Sequence, residues 1–425
     1  MNNTQKFFLI AFFVNGFYLV LTFIFFYFLD SFLMSADNND FLTFYNAGNI
    51  VITDLPNLYD ASLYLFPFRY FPLAAYFFTP FSVLGVELGY FVFQIFNFFL
   101  NFLNIYLMFK IIQVYKKISS NVNIDYSLNN FKDIFYKIEN KSVLHQNALF
   151  LIMLPQFMNY FLGQINILVC FFVLASLFYF LNGGNRNNFL GGCLLGLGIL
   201  IKPTLILILP FILLISYNRA SKKLTFHFKQ SVIRLCGPII LIGFSGIFFI
   251  VYPEMLNGFI EVNLAGKYTY QVGGDLEINP SFSLTRVILI VFDLVNLDVN
   301  NILVFSIIIL ISFLPLYLLF ISSTDNTNKL IYGYLSAITI TLLVYFDSWP
   351  HHIVVLAPFL IFFLLLNKNF RLYAFFKYLH YLFAILLVAF WGIFYLTYQI
   401  VPFNIGGLIL IILLYYTLIT FYRQR

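Results

Sequence analysis

Residues 7–29, FFLIAFFVNGFYLVLTFIFFYFL, carry no charge at all. An α-helix needs roughly 20 mostly apolar residues to cross the hydrocarbon of a bilayer, so this run is long enough to span. It exceeds the h-region of a signal peptide, and no small-residue cleavage site follows it, so it is expected to be a retained first span. Runs of the same kind recur to the C-terminal end, at 88–112, 144–161, 164–181, 189–201, 203–217, 232–252, 302–320, 330–346, 350–366, 378–399 and 404–422. Composition agrees: 62% of the 425 residues are hydrophobic and 9% are charged, against about 25% charged in an ordinary soluble domain. No soluble fold hides that much apolar surface. The expectation is an all-α, polytopic transmembrane protein of about 12 spans, one domain over residues 1–425.

Two further apolar stretches, Phe71 to Gly85 and Leu284 to Leu297, are short, and Arg286 and Asp293 interrupt the second. We place both as interfacial helices on the outer face. Lysine and arginine accumulate in cytoplasmic loops, and this placement puts most of the basic residues on one side. The segment Asn218 to Arg234 shows it best, with Arg219, Lys222, Lys223, Lys229 and Arg234 and no acid. Both termini are then cytoplasmic in a plasma-membrane protein, and two large outer loops result, 30–87 and 253–301. Making Phe71 to Gly85 a span would invert everything after it.

The net charge of +6 is accounted for by cytoplasmic anchoring against anionic lipid, so the partner implied is a lipid bilayer and no nucleic acid. The polar stretch Tyr115 to Lys141 reads as a cytoplasmic excursion. Cys170, Cys193 and Cys236 lack metal-ligand spacing and read as small core residues. No metal or cofactor is implied.

Polar residues near membrane depth gather on the outer side. The first outer loop holds Asp30, Asp37, Asp40, Asp54, Asp60 and Arg69; outer turns carry GQIN (163–166), KP (202–203) and DSWPHH (347–352), and INPS (278–281) lies in the second outer loop. None is needed to build a membrane helix, and ionisable groups there point to function. The span before Lys202 is short, which sets a cation below the headgroup plane, where it meets a lipid phosphate.

DFLTFYNAG (40–48), LYD (58–60), FRYFPLAAYFFTPFSVLG (68–85), GQINIL (163–168), GLGILIKPT (196–204) and SWPHHIVVLAP (348–358), in this order, resemble the polyprenol-phosphate-sugar-dependent glycosyltransferases of family 87, in the GT-C superfamily, where mannosyltransferases are typical. Two departures stand: Tyr70-Phe71-Pro72 where the family usually has Tyr-Pro-Pro, and Asn279-Pro280-Ser281 where Asn-Gln-Ser is common. The resemblance implies a GT-C fold, a sugar donor on a polyprenyl phosphate, a glycan or glycolipid acceptor, and an aspartate of the first outer loop as base. The matching residue is Asp40.

Each residue has a plainer reading beside that one. Asp40 is also placed as a helix N-cap. Lys202 reads as a donor-phosphate ligand or as a snorkelling lysine, and Arg69 as a phosphate ligand or as a partner of Asp54 or Asp60. Gln164, Asn166 and Asn279 are substrate-binding candidates that would equally satisfy helix ends and turns. Tyr45 and Tyr59 are sugar platforms or interface aromatics. His351 and His352 have three readings, a phosphate seat at a helix start, a structural pair and a metal site; as phosphate donors one should outweigh its neighbour, and we favour His352. Other functions for the same chain are a lipid-linked oligosaccharide flippase, against which no internal repeat is seen, and an oligosaccharide polymerase or ligase.

Overall fold

The computed structural model describes residues 2–28, 39–118, 140–218, 221–267, 280–323 and 328–424. Helix α1 (Asn3–Phe28) packs antiparallel to α4 (Val86–Ile118). Their aromatic contacts show the direction: Phe8 meets Phe109, Phe12 stacks on Phe102 at 4.4 Å, Phe23 meets Phe91, and Phe26 stacks on Tyr90 at 4.2 Å. The chain therefore leaves α1 and enters α4 on the same face. Between them lie α2 (Phe41–Thr53) and α3 (Pro72–Ser82). Helix α3 has 11 residues, about 16 Å of length, too short for a hydrocarbon core of about 30 Å. It lies on α2, with the Ser82 hydroxyl donating to the Tyr45 carbonyl at 2.7 Å. Helix α3 is thus too short to cross by itself.

The next pass is broken. Helix α5 (Lys141–Ile152) runs beside α1, with the Asn15 amide on the Leu151 carbonyl at 2.9 Å and the Tyr18 hydroxyl on that of Ile152 at 2.7 Å. It stops at Met153, whose ψ is 140°, and α6 (Leu154–Phe161) resumes with Pro155 in its first turn, where a missing N–H is no loss. Then come α7 (Asn166–Asn182) and α8 (Asn185–Ile201). The run expected to span 203–217 is instead a 3₁₀ turn, Pro203–Ile208, leading into α9 (Leu209–Ile212). It ends in an antiparallel hairpin of β1 (Ile215–Asn218) and β2 (Lys223–Phe226). Two prolines keep this run from being one α-helix, and Ser216 and Thr225 join their hydroxyls across the hairpin at 2.6 Å. Its second strand lies in the basic segment read from sequence as a loop, and its first strand at the end of the run 203–217 expected to span.

Helix α10 (Phe228–Val251) packs on α8 through glycines. A Cβ on Gly237 would sit 2.2 Å from the Cys193 backbone nitrogen, and one on Gly192 2.4 Å from the Arg234 carbonyl oxygen. Small residues of this kind let membrane helices approach closely. Two short helices follow, α11 (Pro253–Asn263) and α12 (Leu284–Leu294), each of 11 residues. The last passes are α13 (Asn301–Ser322), α14 (Lys329–Val344), α15 (Ile353–Leu366), α16 (Tyr373–Thr397) and α17 (Ile405–Arg423).

Six of these helices are long and apolar enough to cross a membrane: α1, α4, α10, α13, α16 and α17. Four shorter apolar helices, α7, residues 203–212, α14 and residues 350–366, pack among them, together with α5, α6 and α8. The fold is an all-α polytopic membrane protein with one small hairpin. Tyr115 near the end of α4, Ile331 at the start of α14 and Leu366 at the end of α15 meet at one face. The end of α17 joins them, Phe421 lying 4.8 Å from Tyr332. The start of α1 is there too, since Phe7 stacks on His145 near the start of α5.

Gly237→Val should lower stability by about 1–3 kcal/mol, the usual cost of overpacking, read as a drop in the melting temperature of the detergent-solubilised protein. Gly243→Val, with nothing within 4 Å of its added Cβ, should melt like the wild type.

Candidate active site

The cavity opens at the face where α1 ends and α4 begins. Its volume is about 550 Å³, and Asp40, Arg69, Gln164, Lys202, His351 and His352 all line it. Four stretches of sequence thus converge on one space.

Asp40 enters it because its backbone is pinned, its N–H donating to the Leu162 carbonyl at 3.1 Å. It precedes α2 but does not cap it: no side-chain bond to the helix is made. Asn39 does that work, its Oδ1 accepting from the Phe41 N–H at 2.9 Å. The Asp40 carboxylate is left for the cavity, where the Gln164 amide donates to it. Burial pushes this carboxyl up to about 7, the Gln164 bond acting in the opposite direction.

Lys202 ends α8 and turns inward instead of snorkelling, its ammonium donating to Asn166 Oδ1 at 2.6 Å. Burial lowers it to about 7. Asn166 lies behind the cavity wall as a junction. Its Nδ2 reaches Asn159 Oδ1 at 3.2 Å and Gln164 Oε1 at 3.4 Å. A hydrogen-bonded string, Asp40 to Gln164 to Asn166 to Lys202, therefore joins the half-buried carboxylate to the half-buried amine.

The turn at 163–166 is held from within the membrane. Gln94, Asn97, Asn101 and Asn104 of α4 are fully buried, and their spacing of three and four residues puts them on one helix face. Gln94 donates to the Tyr160 carbonyl at 2.7 Å, Asn97 to that of Gln164 at 3.4 Å and Asn104 to that of Ile167 at 3.1 Å, while Asn101 reaches the Tyr160 hydroxyl at 2.7 Å. Gly163 makes the turn itself with φ of 64°, a left-handed conformation that glycine adopts without steric cost. A Cβ there would strike Asn39 at 2.3 Å.

His351 and His352 occupy a 3₁₀ turn, Pro350–His352, that leads into α15. Their rings meet edge to face at 4.5 Å. The His351 carbonyl accepts from Asn159 at 2.8 Å, and its Nδ1 has no partner among the described residues. The Trp349 N–H donates to Nδ1 of His352 at 3.3 Å, which places that ring's proton on Nε2. Among the described residues no group of three or more His, Cys, Asp or Glu is arranged to hold a metal ion.

Arg69 pairs with Asp347 at 2.7 Å and donates to the Val262 carbonyl at 2.9 Å. The expected partners are occupied locally: Asp54 accepts from Asn57, and Asp60 caps Ser62. The other oxygen of Asp347 lies 3.6 Å from Arg286 of α12. One carboxylate thus ties the segment before α3 and the start of α12 to the DSWPHH turn, with the Ser348 N–H donating to the Ser281 hydroxyl at 2.9 Å.

Two tyrosines named from sequence stand outside the cavity wall. Tyr59 is buried with its hydroxyl on the Tyr70 carbonyl at 2.5 Å, and Tyr45 lies beside Phe41 with its carbonyl holding Ser82. Asn279 lies outside the described residues, as do Asp30, Asp37 and residues 119–139 of the polar stretch. The wall also contains Tyr70, Tyr345, Asp347, Trp349, Trp391 and Tyr395. Asp347 opens a motif already singled out, whereas the α16 pair has no local signal in an aromatic-rich helix.

Residues 68–226 match the model of Glycosyltransferase family 87. The chain carries a family 87 glycosyltransferase region. With the helical fold, that indicates a membrane glycosyltransferase. No curated protein matches the chain. The family 87 region contains Arg69, Gln164, Asn166 and Lys202; Asp40 and the histidine turn lie outside it in sequence and reach the same cavity through the fold.

Asp347→Ala removes the carboxylate between two guanidinium groups, and loss of one partner from a buried pair costs about 3–5 kcal/mol. We expect a clear fall in melting temperature, and a smaller one for Asp347→Asn. Equal melting of Asp347→Ala and wild type would show that the clamp does not hold the loops.

Proposed function

We propose that the chain transfers a sugar from a polyprenyl phosphate to a hydroxyl of a glycan or glycolipid in this cavity, in the manner of a GT-C enzyme. The observation that carries the reading is the pairing of a half-buried, uncapped carboxylate with a half-buried amine across a hydrogen-bonded string. Asp40 takes the proton of the acceptor hydroxyl as its oxygen bonds to the sugar's anomeric carbon. The bond from that carbon to the phosphate oxygen breaks, and its electron pair goes to the departing polyprenyl phosphate. The configuration inverts. Lys202 and Nε2–H of His352 meet the charge that grows on the phosphate, and donors already aimed at developing charge count for more where water is scarce. Arg69, held by Asp347, adds a fixed positive wall. The sugar class is hexose, with mannose the first donor to try.

The cavity faces outward in this reading, because the hairpin with Lys222 and Lys223, and Lys229 at the start of α10, lie on the side of the chain termini. Cysteine placed at Asp60 should react with an impermeant reagent added to intact cells, and cysteine at Lys222 only after lysis. The reverse pattern would turn the protein over.

Asp40→Asn should reduce turnover by about 10²- to 10⁴-fold, the range of general-base catalysis, with donor affinity nearly unchanged. The assay is transfer from a panel of polyprenyl-phosphate hexoses to isolated glycolipids. A variant within about tenfold of wild type would remove Asp40 from the role.

Activity should also follow pH as a bell. The base works only when deprotonated, so kcat/KM rises as pH climbs through about 7. The amine works only when protonated, so kcat/KM falls as pH climbs further and Lys202 empties. The bound phosphate favours protonated Lys202, so the alkaline limb of kcat should lie at higher pH than that of kcat/KM. Lys202→Met should flatten that limb; an unchanged limb would mean that another group sets it.

A further inference from the structure

The chain has 59 phenylalanines but two tryptophans, Trp349 and Trp391, and both line the cavity. Phenylalanine is what this protein uses against lipid and in its core. A tryptophan adds a polar N–H and a wider face, so its confinement to this one space asks for a reason. Trp391 lies on α16, one turn before Tyr395, whose ring stands edge-on to it at 4.8 Å and 72°. The plain alternative is the aromatic belt at the membrane–water boundary. A belt tryptophan, however, turns its N–H toward water or headgroups. Nε1 of Trp391 is buried and has no acceptor among the described residues.

We propose that Trp391, backed by Tyr395, is the wall on which the donor's sugar ring rests. The inference rests on the glycosyl-transfer reading and names a subsite within it. An indole face receives the C–H face of a sugar, and a small rotation of the ring gives Nε1–H a sugar oxygen as its acceptor. Asp40, Gln164 and Lys202 share the space with it, so a sugar held there lies among the groups that act on its anomeric carbon and its phosphate. A bare prenyl chain offers neither the oxygen nor the polar edge, and phenylalanine would serve it equally well.

The protein supplies its own probe. Trp349→Phe leaves Trp391 as the sole tryptophan, to be excited where tyrosine does not absorb. Without acceptor, this variant is titrated with polyprenyl-phosphate mannose, the other polyprenyl-phosphate hexoses, and bare polyprenyl phosphate. We expect a sugar-bearing donor to change Trp391 emission and bare polyprenyl phosphate to leave it nearly unaltered. In the otherwise wild-type chain, Trp391→Phe should weaken binding of the same radiolabelled donor by about 5- to 100-fold, as loss of a hydrogen-bond donor and a narrower stacking face would. Its affinity for bare polyprenyl phosphate should stay within about twofold, an effect small on that scale. Equal emission changes with and without the sugar, or a Trp391→Phe variant that binds the sugar-bearing donor as tightly as the wild type, would overturn the proposal while leaving glycosyl transfer standing. Binding of neither compound to the wild type would overturn both.

Discussion

The turn at Gly163–Asn166 is the part on which the rest of the cavity depends. Leu162 pins the backbone of Asp40, Gln164 holds its carboxylate, Asn166 holds the Lys202 amine, and Asn159, one turn earlier, holds the carbonyl of His351. The Asn159 bond is buried and those of Gln164 and Lys202 partly so, and a buried group left without its bond costs its desolvation, about 1–3 kcal/mol. The turn therefore has few alternative shapes. Its glycine has no room for a Cβ, and its carbonyls are claimed from below by the amides of α4. That amide stripe costs hydrophobicity in a membrane helix, and interhelical hydrogen bonds of this type are worth about 0.6 kcal/mol each on average. Its larger effect is positional, because Gln94, Asn97 and Asn104 fix the carbonyls of Tyr160, Gln164 and Ile167 while Asn101 holds the Tyr160 hydroxyl.

Much of the architecture is legible in the sequence because a bilayer demands it. Each apolar run has to cross or lie at the interface, and the pass boundaries follow. The two short runs at 71–85 and 284–297 are recognisable by length alone, and α3 and α12 each have 11 residues. The convergence of Asp40, Gln164, Lys202 and the histidines was likewise legible, since alternation of passes puts their turns on one side. What connects them was not. Asn39 and Asp40 are adjacent and both favour caps, and only the backbone direction at 39–41 decides which carboxyl or amide faces the helix. Arg69 has nearby acids in Asp54 and Asp60, yet local backbone and Asn57 take those first, and the arginine finds Asp347 from a distant turn. Tyr45 and Tyr59 sit in the matching motifs and still serve the loop's own packing. Residues 203–212 have the hydropathy of a helix, but prolines at 203 and 210 tighten the pass and release the chain into a hairpin.

The charges of the cavity can be ranked by what holds them. Arg69 and Asp347 compensate one another at 2.7 Å, and a guanidinium stays protonated in any ordinary environment, so this pair is a permanent feature of the wall. Asp40 and Lys202 differ. Neither touches an opposite charge directly; carboxamides intervene, and burial moves the carboxyl up and the amine down, each to about 7. Near neutrality both stand close to the point of gaining or losing a proton. A phosphate entering beside Lys202 supplies the counter-charge that burial withholds, and so favours the ammonium. A protonated amine in turn favours ionised Asp40 through the shared field of a low-dielectric space. In the proposed reaction the phosphate draws a proton to Lys202, and that ammonium offsets at Asp40 the negative charge the phosphate itself brings. The string through Gln164 and Asn166 fixes the distance over which that coupling acts. The same coupling limits an empty cavity, whose carboxyl and amine are both partly neutral before the donor arrives.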